Sequence, residues 1–265
     1  MKIATWNVNS INARLATALD VLKTIDADVV CLQELKCEDA KFPRGPIEEL
    51  GYNIETHGQK TYNGVALLSK HRFEEVSRGL PFLGPADGDE QARYIEAVIA
   101  APGGPFRVGA LYAPNGNPIG TDKFSYKLAW MERLTAHAKR LLTLEERFVL
   151  AGDYNIIPRD GDADDPKSWE GDALFTGQAR EAYRRLLNLG LVDAFMQSDG
   201  RAGQYTFWDY QAGAWRRNHG IRIDFVLCSP QAADALEATA IHKEARAMEK
   251  ASDHVPMIAQ FGAGR

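Results

Sequence analysis

The chain has 265 residues with 45% hydrophobic and 25% charged side chains, values that exclude a disordered polymer and leave room for one large domain or two small ones. No apolar run approaches the ~18 residues of a membrane span, and the N-terminus opens on a strand-like segment instead of a basic stretch with an apolar signal core, so a cytoplasmic location is expected. A net charge of −5 gives no general attraction to polyanions, although a cluster of site carboxylates would lower the total without describing the surface around it.

Lys2 to Asn9 reads as a strand ending in polar side chains, with Asn9 or Ser10 as the cap of a helix whose Ile11, Leu15, Leu19 and Leu22 share a face. Asp28 to Gln33 is a second strand, and it ends in Gln33-Glu34-Leu35-Lys36. A loop through Phe42–Pro46 leads to a short helix around Ile47–Leu50, followed by strands at Tyr52–His57 and Gly64–Ser69. Gly, Pro and Asp crowd residues 79–91, which marks a loop. Tyr94–Ala101 and Phe106–Leu111 form an antiparallel pair joined through Pro102-Gly103-Gly104-Pro105 and ending in Tyr112-Ala113-Pro114-Asn115.

Helical spacing of Phe124, Leu128, Met131, Leu134, Ala138, Leu141 and Leu142 predicts a long amphipathic helix over 122–143. The apolar run Phe148–Ala151 is a buried strand that ends in Gly152-Asp153-Tyr154-Asn155. Extended alternation puts Asp153 and Asn155 on one face, although both are also ordinary turn residues. Residues 158–172 carry Asp160, Asp162, Asp164 and Asp165 but fail as a calcium loop, because Asp165 replaces the required Gly and Gly171 the bidentate Glu. They read as a solvated acidic loop.

Thr176–Leu189 is a helix with Ala179, Tyr183, Leu186 and Leu187 inward and Gly190 as its stop. Tyr205–Tyr210 is an aromatic strand, Ile221–Cys228 another, and Ser252-Asp253-His254 precedes a last strand through Phe261. Cys31, Cys37 and Cys228 lack zinc spacing and are expected to be reduced. No stretch looks like a linker, so residues 1–265 are expected to form one domain, an α+β sandwich of two sheets with helices outside.

The strands thus end in Asn7, Glu34, Tyr112, Asp153 with Asn155, Asp224, and Asp253 with His254. A rim of carboxylates repels itself unless a cation sits among them, which favours a hard divalent ion bound through oxygen, Mg²⁺ or Mn²⁺. His254 adds a group that can exchange a proton near neutral pH.

Trp6-Asn7-Val8-Asn9, Leu32-Gln33-Glu34-Leu35-Lys36, Tyr112-Ala113-Pro114-Asn115, Gly152-Asp153-Tyr154-Asn155, Arg222-Ile223-Asp224 and Ser252-Asp253-His254 stand in a telling order. In order and approximate spacing they resemble the exonuclease III family of apurinic/apyrimidinic (AP) endonucleases, across essentially the whole chain. The resemblance implies a four-layer αββα sandwich and a metal-dependent phosphodiesterase of double-stranded DNA. Such an enzyme cuts 5′ to abasic sites and removes 3′ blocking groups or nucleotides in base excision repair, here as a monomer with no membrane association.

It further implies that Glu34 is the principal metal carboxylate, with Asn7, Asn9, Asp253, Asp153 and Asn155 in or beside the metal shell. Asp153 resembles the base that positions or deprotonates the attacking water, Asn155 a holder of that water or of a phosphate oxygen, and Asp224 the partner that fixes the His254 tautomer. Tyr112 and Asn115 would donate to non-bridging oxygens, and Lys36 would orient Glu34 or meet a phosphate. Phe207, Trp208, Ile221 and Ile223 correspond to the apolar pocket for a sugar lacking its base. Arg216, Arg217, Arg222, Lys60, Arg93, Lys123 and Lys127 would supply phosphate contacts. Two rival readings stay open: the same metal site acting on another phosphodiester or phosphomonoester, as in non-specific DNases or inositol-phosphate phosphatases, and a catalytically silent nucleic-acid binder.

Overall fold

Alternation along the strands decides how the layers stack. The structure, a computed structural model, describes residues 1–81 and 89–262. In chain order these form β1 (Lys2–Asn7), α1 (Leu15–Ile25), β2 (Val29–Gln33), α2 (Arg44–Glu48), β3 (Asn53–His57), β4 (Val65–Ser69), β5 (Phe73–Arg78), β6 (Tyr94–Ile99) and β7 (Phe106–Tyr112). There follow α3 (Asp122–Leu142), β8 (Phe148–Asp153), α4 (Gly177–Asn188), β9 (Val192–Asp193), α5 (Ala194–Ser198), α6 (Ala214–Arg217), β10 (Asp224–Cys228), α7 (Pro230–Ala233), β11 (Leu236–Ile241) and β12 (Met257–Phe261).

Two six-stranded sheets result, in the orders β11-β12-β1-β2-β4-β3 and β5-β6-β7-β8-β10-β9. Each is mixed: β1 with β2 and β7 with β8 are parallel, and the remaining pairs are antiparallel. Ile3, Val29, Cys31, Val65 and Leu67 of the first sheet meet Ile95, Val108, Ala110, Val149, Ala151 and Val226 of the second. The alternate residues Ala4, Trp6, Val30, Leu32 and Leu68 face away and pack on Ala18, Val21 and Leu22 of α1. On the far side Leu111, Leu150, Phe225 and Leu227 pack on Trp130, Met131 and Leu134 of α3 and on Ala179, Tyr183 and Leu186 of α4. The expected four-layer arrangement is therefore present, since the central strands β2, β4, β8 and β10 bury both of their faces.

Several expectations need correction. Asn9 and Ser10 do not cap α1: both have left-handed backbones, at φ 44° and 80°, and the helix begins at Leu15 after an Arg14 that makes no side-chain cap. Its buried face is Thr17, Ala18, Val21, Leu22 and Ile25. β5 carries no apolar alternation in its sequence and pairs at the sheet edge with a register shift, so only tertiary context makes it a strand. Tyr205–Tyr210 is not a strand; Phe207 instead forms single bridges to Ile221 and His254. Part of the loop expected over 79–91 lies outside the described residues.

Candidate active site

Strand register brings Tyr112, Asp153 and Asp224 together, Asp224 standing at the start of its strand and not, as expected, at an end. Asp153 at the end of β8 lies opposite Tyr112 on β7 and opposite Asp224 on β10. The turn after Ser252 lays His254 over this edge, held by Trp6 Nε1 donating to the His254 carbonyl at 3.0 Å. Ser252 Oγ donates to the Asn7 carbonyl at 2.7 Å and accepts from the His254 amide at 3.2 Å, which ties the turn to β1.

Asp224 Oδ2 sits 2.9 Å from His254 Nδ1, and His254 Nε2 faces Asp153 Oδ2 across 3.8 Å, too far for a hydrogen bond. Asp153 accepts from Asn7 Nδ2 at 3.0 Å and from the Asn155 amide at 2.8 Å. Burial pushes the Asp153 carboxyl up to about 7; the His254 ring opposes the rise and Asp224 adds to it. Burial works against a charged His254, but Asp224 and then Asp153 outweigh it and lift the ring to about 10. The pair is thus a carboxyl able to take a proton near neutrality beside a protonated imidazole.

A second group continues from Asn7. Its Oδ1 accepts from the Asn9 amide at 3.0 Å; Asn9 Nδ2 donates to Asp253 Oδ1 at 3.1 Å, and Asn9 Oδ1 accepts from Lys36 Nζ at 2.7 Å. Lys36 Nζ also pairs with Glu34 Oε1 at 2.9 Å. Asn9, Glu34, Lys36 and Asn155 all have left-handed backbones, φ 44° to 57°, which non-glycine residues seldom adopt. The chain bends sharply where it leaves the sheets, and the rim side chains turn toward one another. Burial, followed by the charges of Glu34 and Asp153, holds the Tyr112 phenol well above its usual range, so it stays a donor.

The donor set fits a hard cation. Glu34, Asp253, Asn7 and Asn9 would each bind it through oxygen, and the buried Asp224 Oδ1 has no hydrogen-bond partner. Among the described residues, Asp153, Asp224 and His254 also offer ligand atoms within 4.8 Å of one another. That trio, however, is largely committed to its own hydrogen bonds, whereas Glu34 has a single ionic partner and is only half-buried.

Beside His254 lies an apolar patch. The Phe207 ring meets the imidazole edge-on at 4.9 Å and packs over Ile157, Ala163, Leu174, Ile221 and Ile223, flanked by Trp169 and Phe175. Phe207, Ile221 and Ile223 are therefore brought together as expected. Trp208 is not: it is fully buried on the other side, between Tyr205 and Trp215, with Nε1 donating to Asn218 at 3.2 Å. Neighbours on extended backbone point to opposite faces, so only one of the two aromatics reaches the site. Trp169 and Phe175 carry no signal of this role in the sequence, Trp169 standing in the acidic stretch 158–172 and Phe175 just beyond it.

Some expected phosphate contacts are also reassigned. Arg222 is 1% exposed and bridges Asp162 at 2.8 Å and Asp193 at 2.9 Å, so it is a core ion bridge. Asp162, expected in solvent, is buried between Arg159 and Arg222. Lys127 is wholly buried and donates to three backbone carbonyls. Burial draws its pKa down to about 7 against the pull of Asp153 and Asp172. Lys60, Lys123, Arg216 and Arg217 remain exposed. Arg93 stacks over the Tyr112 ring at 5.0 Å and, with Asn115, Lys123, Tyr62 and Tyr126, lines an open groove of about 560 Å³. Asn115 Nδ2 reaches Asn155 Oδ1 at 3.3 Å, joining this groove to the Asp153 turn.

Comparison with known proteins places this geometry. Residues 4–254 match the Endonuclease/Exonuclease/phosphatase family. The chain is 33% identical to exodeoxyribonuclease III of Haemophilus influenzae, over 98% of this chain and all of that protein. Among solved structures it superposes with a TM-score of 0.92 on an AP endonuclease from Archaeoglobus fulgidus, 37% identical, over 98% of this chain and 99% of the other. The 3′ phosphatase NExo from Neisseria, determined with a product DNA hairpin, gives a TM-score of 0.92 at 38% identity, covering 99% of both chains.

Proposed function

The chain belongs to the endonuclease/exonuclease/phosphatase family, and from that premise we propose that it is a DNA-repair nuclease which cuts 5′ to abasic sites in duplex DNA and clears 3′ ends. The observation that carries the reading is the shared edge of Tyr112, Asp153 and Asp224, with His254 facing Asp153 beside the Phe207 patch. Mg²⁺ is the ion we assign, with Mn²⁺ able to replace it, and the protein would act as a cytoplasmic monomer.

Glu34 and Asp253, with Asn7 and Asn9, would hold the ion, which when bound polarises a phosphate oxygen and lowers the barrier to attack. Asp153, with its carboxyl near 7, takes the proton of the attacking water, and Asn155 positions that water. His254, kept protonated and oriented by Asp224, donates toward the phosphate. Tyr112 and Asn115 donate to non-bridging oxygens, and Lys36 orients Glu34. A positioned acid or base contributes roughly 10²–10⁴-fold, whereas enzymes reach about 10⁶–10¹⁷-fold. The ion and the preorganised donors therefore carry most of the acceleration.

Selection would come from Phe207, Ile221 and Ile223, walled by Trp169 and Phe175, which suit a sugar without its base. The test is an end-labelled duplex carrying one abasic analogue, digested with and without Mg²⁺ beside an intact duplex, a 3′-phosphate duplex and a phosphoinositide. We expect a metal-dependent nick immediately 5′ to the lesion and release of the 3′-phosphate. Equal cutting of intact DNA, or turnover of the phosphoinositide in its place, would overturn the reading.

A further inference from the structure

The buried face of α3 sets three basic side chains, Lys127, Arg133 and His137, among its apolar ones, and Lys127 is the one beneath the active-site loops. There Lys127, with no exposed surface, directs its Nζ to the carbonyls of Asn115 at 2.9 Å, Asn155 at 2.5 Å and Ala173 at 3.1 Å. In its protonated form the three N–H groups meet three acceptors, and among the described residues no carboxylate lies within ion-pair distance. The fit is close: a Cβ on Gly116, which has φ +89°, would stand 2.6 Å from Lys127 Cδ.

Each carbonyl belongs to a different segment. Asn115 follows β7 and lines the groove, Asn155 follows Asp153, and Ala173 leads into Leu174 and Phe175 of the apolar patch. Above the lysine the same segments are tied again: Asn117 Oδ1 accepts from the Ala173 amide at 3.0 Å, and the Ile157 amide donates to the Leu174 carbonyl at 2.8 Å. A buried charge costs several kcal/mol of desolvation, offset here by the three carbonyls, which would be left without a donor if the ammonium were absent. One side chain thus satisfies all three turns at once.

We propose that Lys127 is a positioning residue whose ammonium sets one spatial relation between the water-holding Asn155, the phosphate-facing Asn115 and the Leu174–Phe175 wall. The placement of the hydrolytic groups and the shape of the lesion pocket are then determined by a single side chain. The inference rests on the function proposed above and adds to it the coupling of rate to substrate choice.

Lys127→Met tests it, with the wild type run in parallel on abasic and intact duplexes. The variant should fold but melt below the wild type, since three buried carbonyls lose their donor, while kcat on the abasic duplex falls about 10²-fold at nearly unchanged KM, the loss expected of a misplacement near 1 Å. Its preference for abasic over intact duplex should fall with kcat, and Lys127→Arg should recover part of both. A folded Lys127→Met that keeps either the wild-type kcat or the wild-type preference overturns the coupling. A wild type with no preference sinks the lesion reading instead. Amide exchange of the wild type decides the matter without substrate or variant: the Ile157 and Ala173 amides should open as one unit, and independent opening refutes the shared anchor.

Discussion

His254 is held through Nδ1 by Asp224 Oδ2 at 2.9 Å, both side chains being buried, so the carboxylate fixes which ring nitrogen faces the reacting edge. Asp224→Asn should keep the fold and DNA binding but lose the charge that keeps the ring protonated and oriented. We expect single-turnover cleavage to fall about 10²–10⁴-fold while anisotropy titrations of abasic duplex stay close to wild type. Matching losses in both measurements would refute the orienting role.

Glu34 and Asp153 make separable predictions. Glu34→Gln weakens the seat of the ion, so activity should return as Mg²⁺ or Mn²⁺ is raised. Asp153→Asn removes the proton acceptor, so it should bind abasic DNA and stay inactive at every metal concentration. Metal titrations of both variants on one substrate distinguish them; equal rescue would remove the distinction drawn between the two carboxylates.

The neighbouring aromatics should part ways. Trp208→Ala empties a filled core site and should cost about 3–5 kcal/mol of stability, read by urea unfolding. Phe207→Ala should fold normally and lose discrimination between abasic and intact duplex. A stable Trp208→Ala with altered lesion choice would restore Trp208 to the pocket.

Asp162 supplies a pH test away from the ion. Burial opposes its ionisation, but the Arg159 hydrogen bond and the Arg222 charge hold the carboxyl below its usual value. A depressed folded pKa gives stability that is complete above the unfolded value, near 4, and is lost as pH falls through the folded one. Asp162→Asn leaves Arg222 with Asp193 alone and should cost about 3 kcal/mol at neutral pH. Unfolding midpoints of the two proteins should converge below about pH 4. A gap that is independent of pH would show that the charge is not what matters.

Much of the site could be read from residue order. Asn7, Glu34, Asp153 and Asn155 sit where an apolar run gives way to polar groups, and Asp224, Asp253 and His254 where polar groups give way to one, and that local signal survives because strands need apolar alternation or runs to be buried at all. Phe148–Asp153 was legible to the residue. The edge strand Phe73–Arg78 was not, having too little buried face to leave a pattern.

The amino-acid order by itself determined the central strands, the long helices and the chemical groups that stand at their ends. Only the tertiary structure decided where the charges go. Arg222 meets an Asp162 60 positions away, Lys127 meets carbonyls of three loops, and Trp208 turns inward while Phe207 turns out. Periodicity is a property of neighbours along the chain, whereas the partner that makes a buried charge tolerable is supplied by a distant segment, and a single sequence carries no local mark of it.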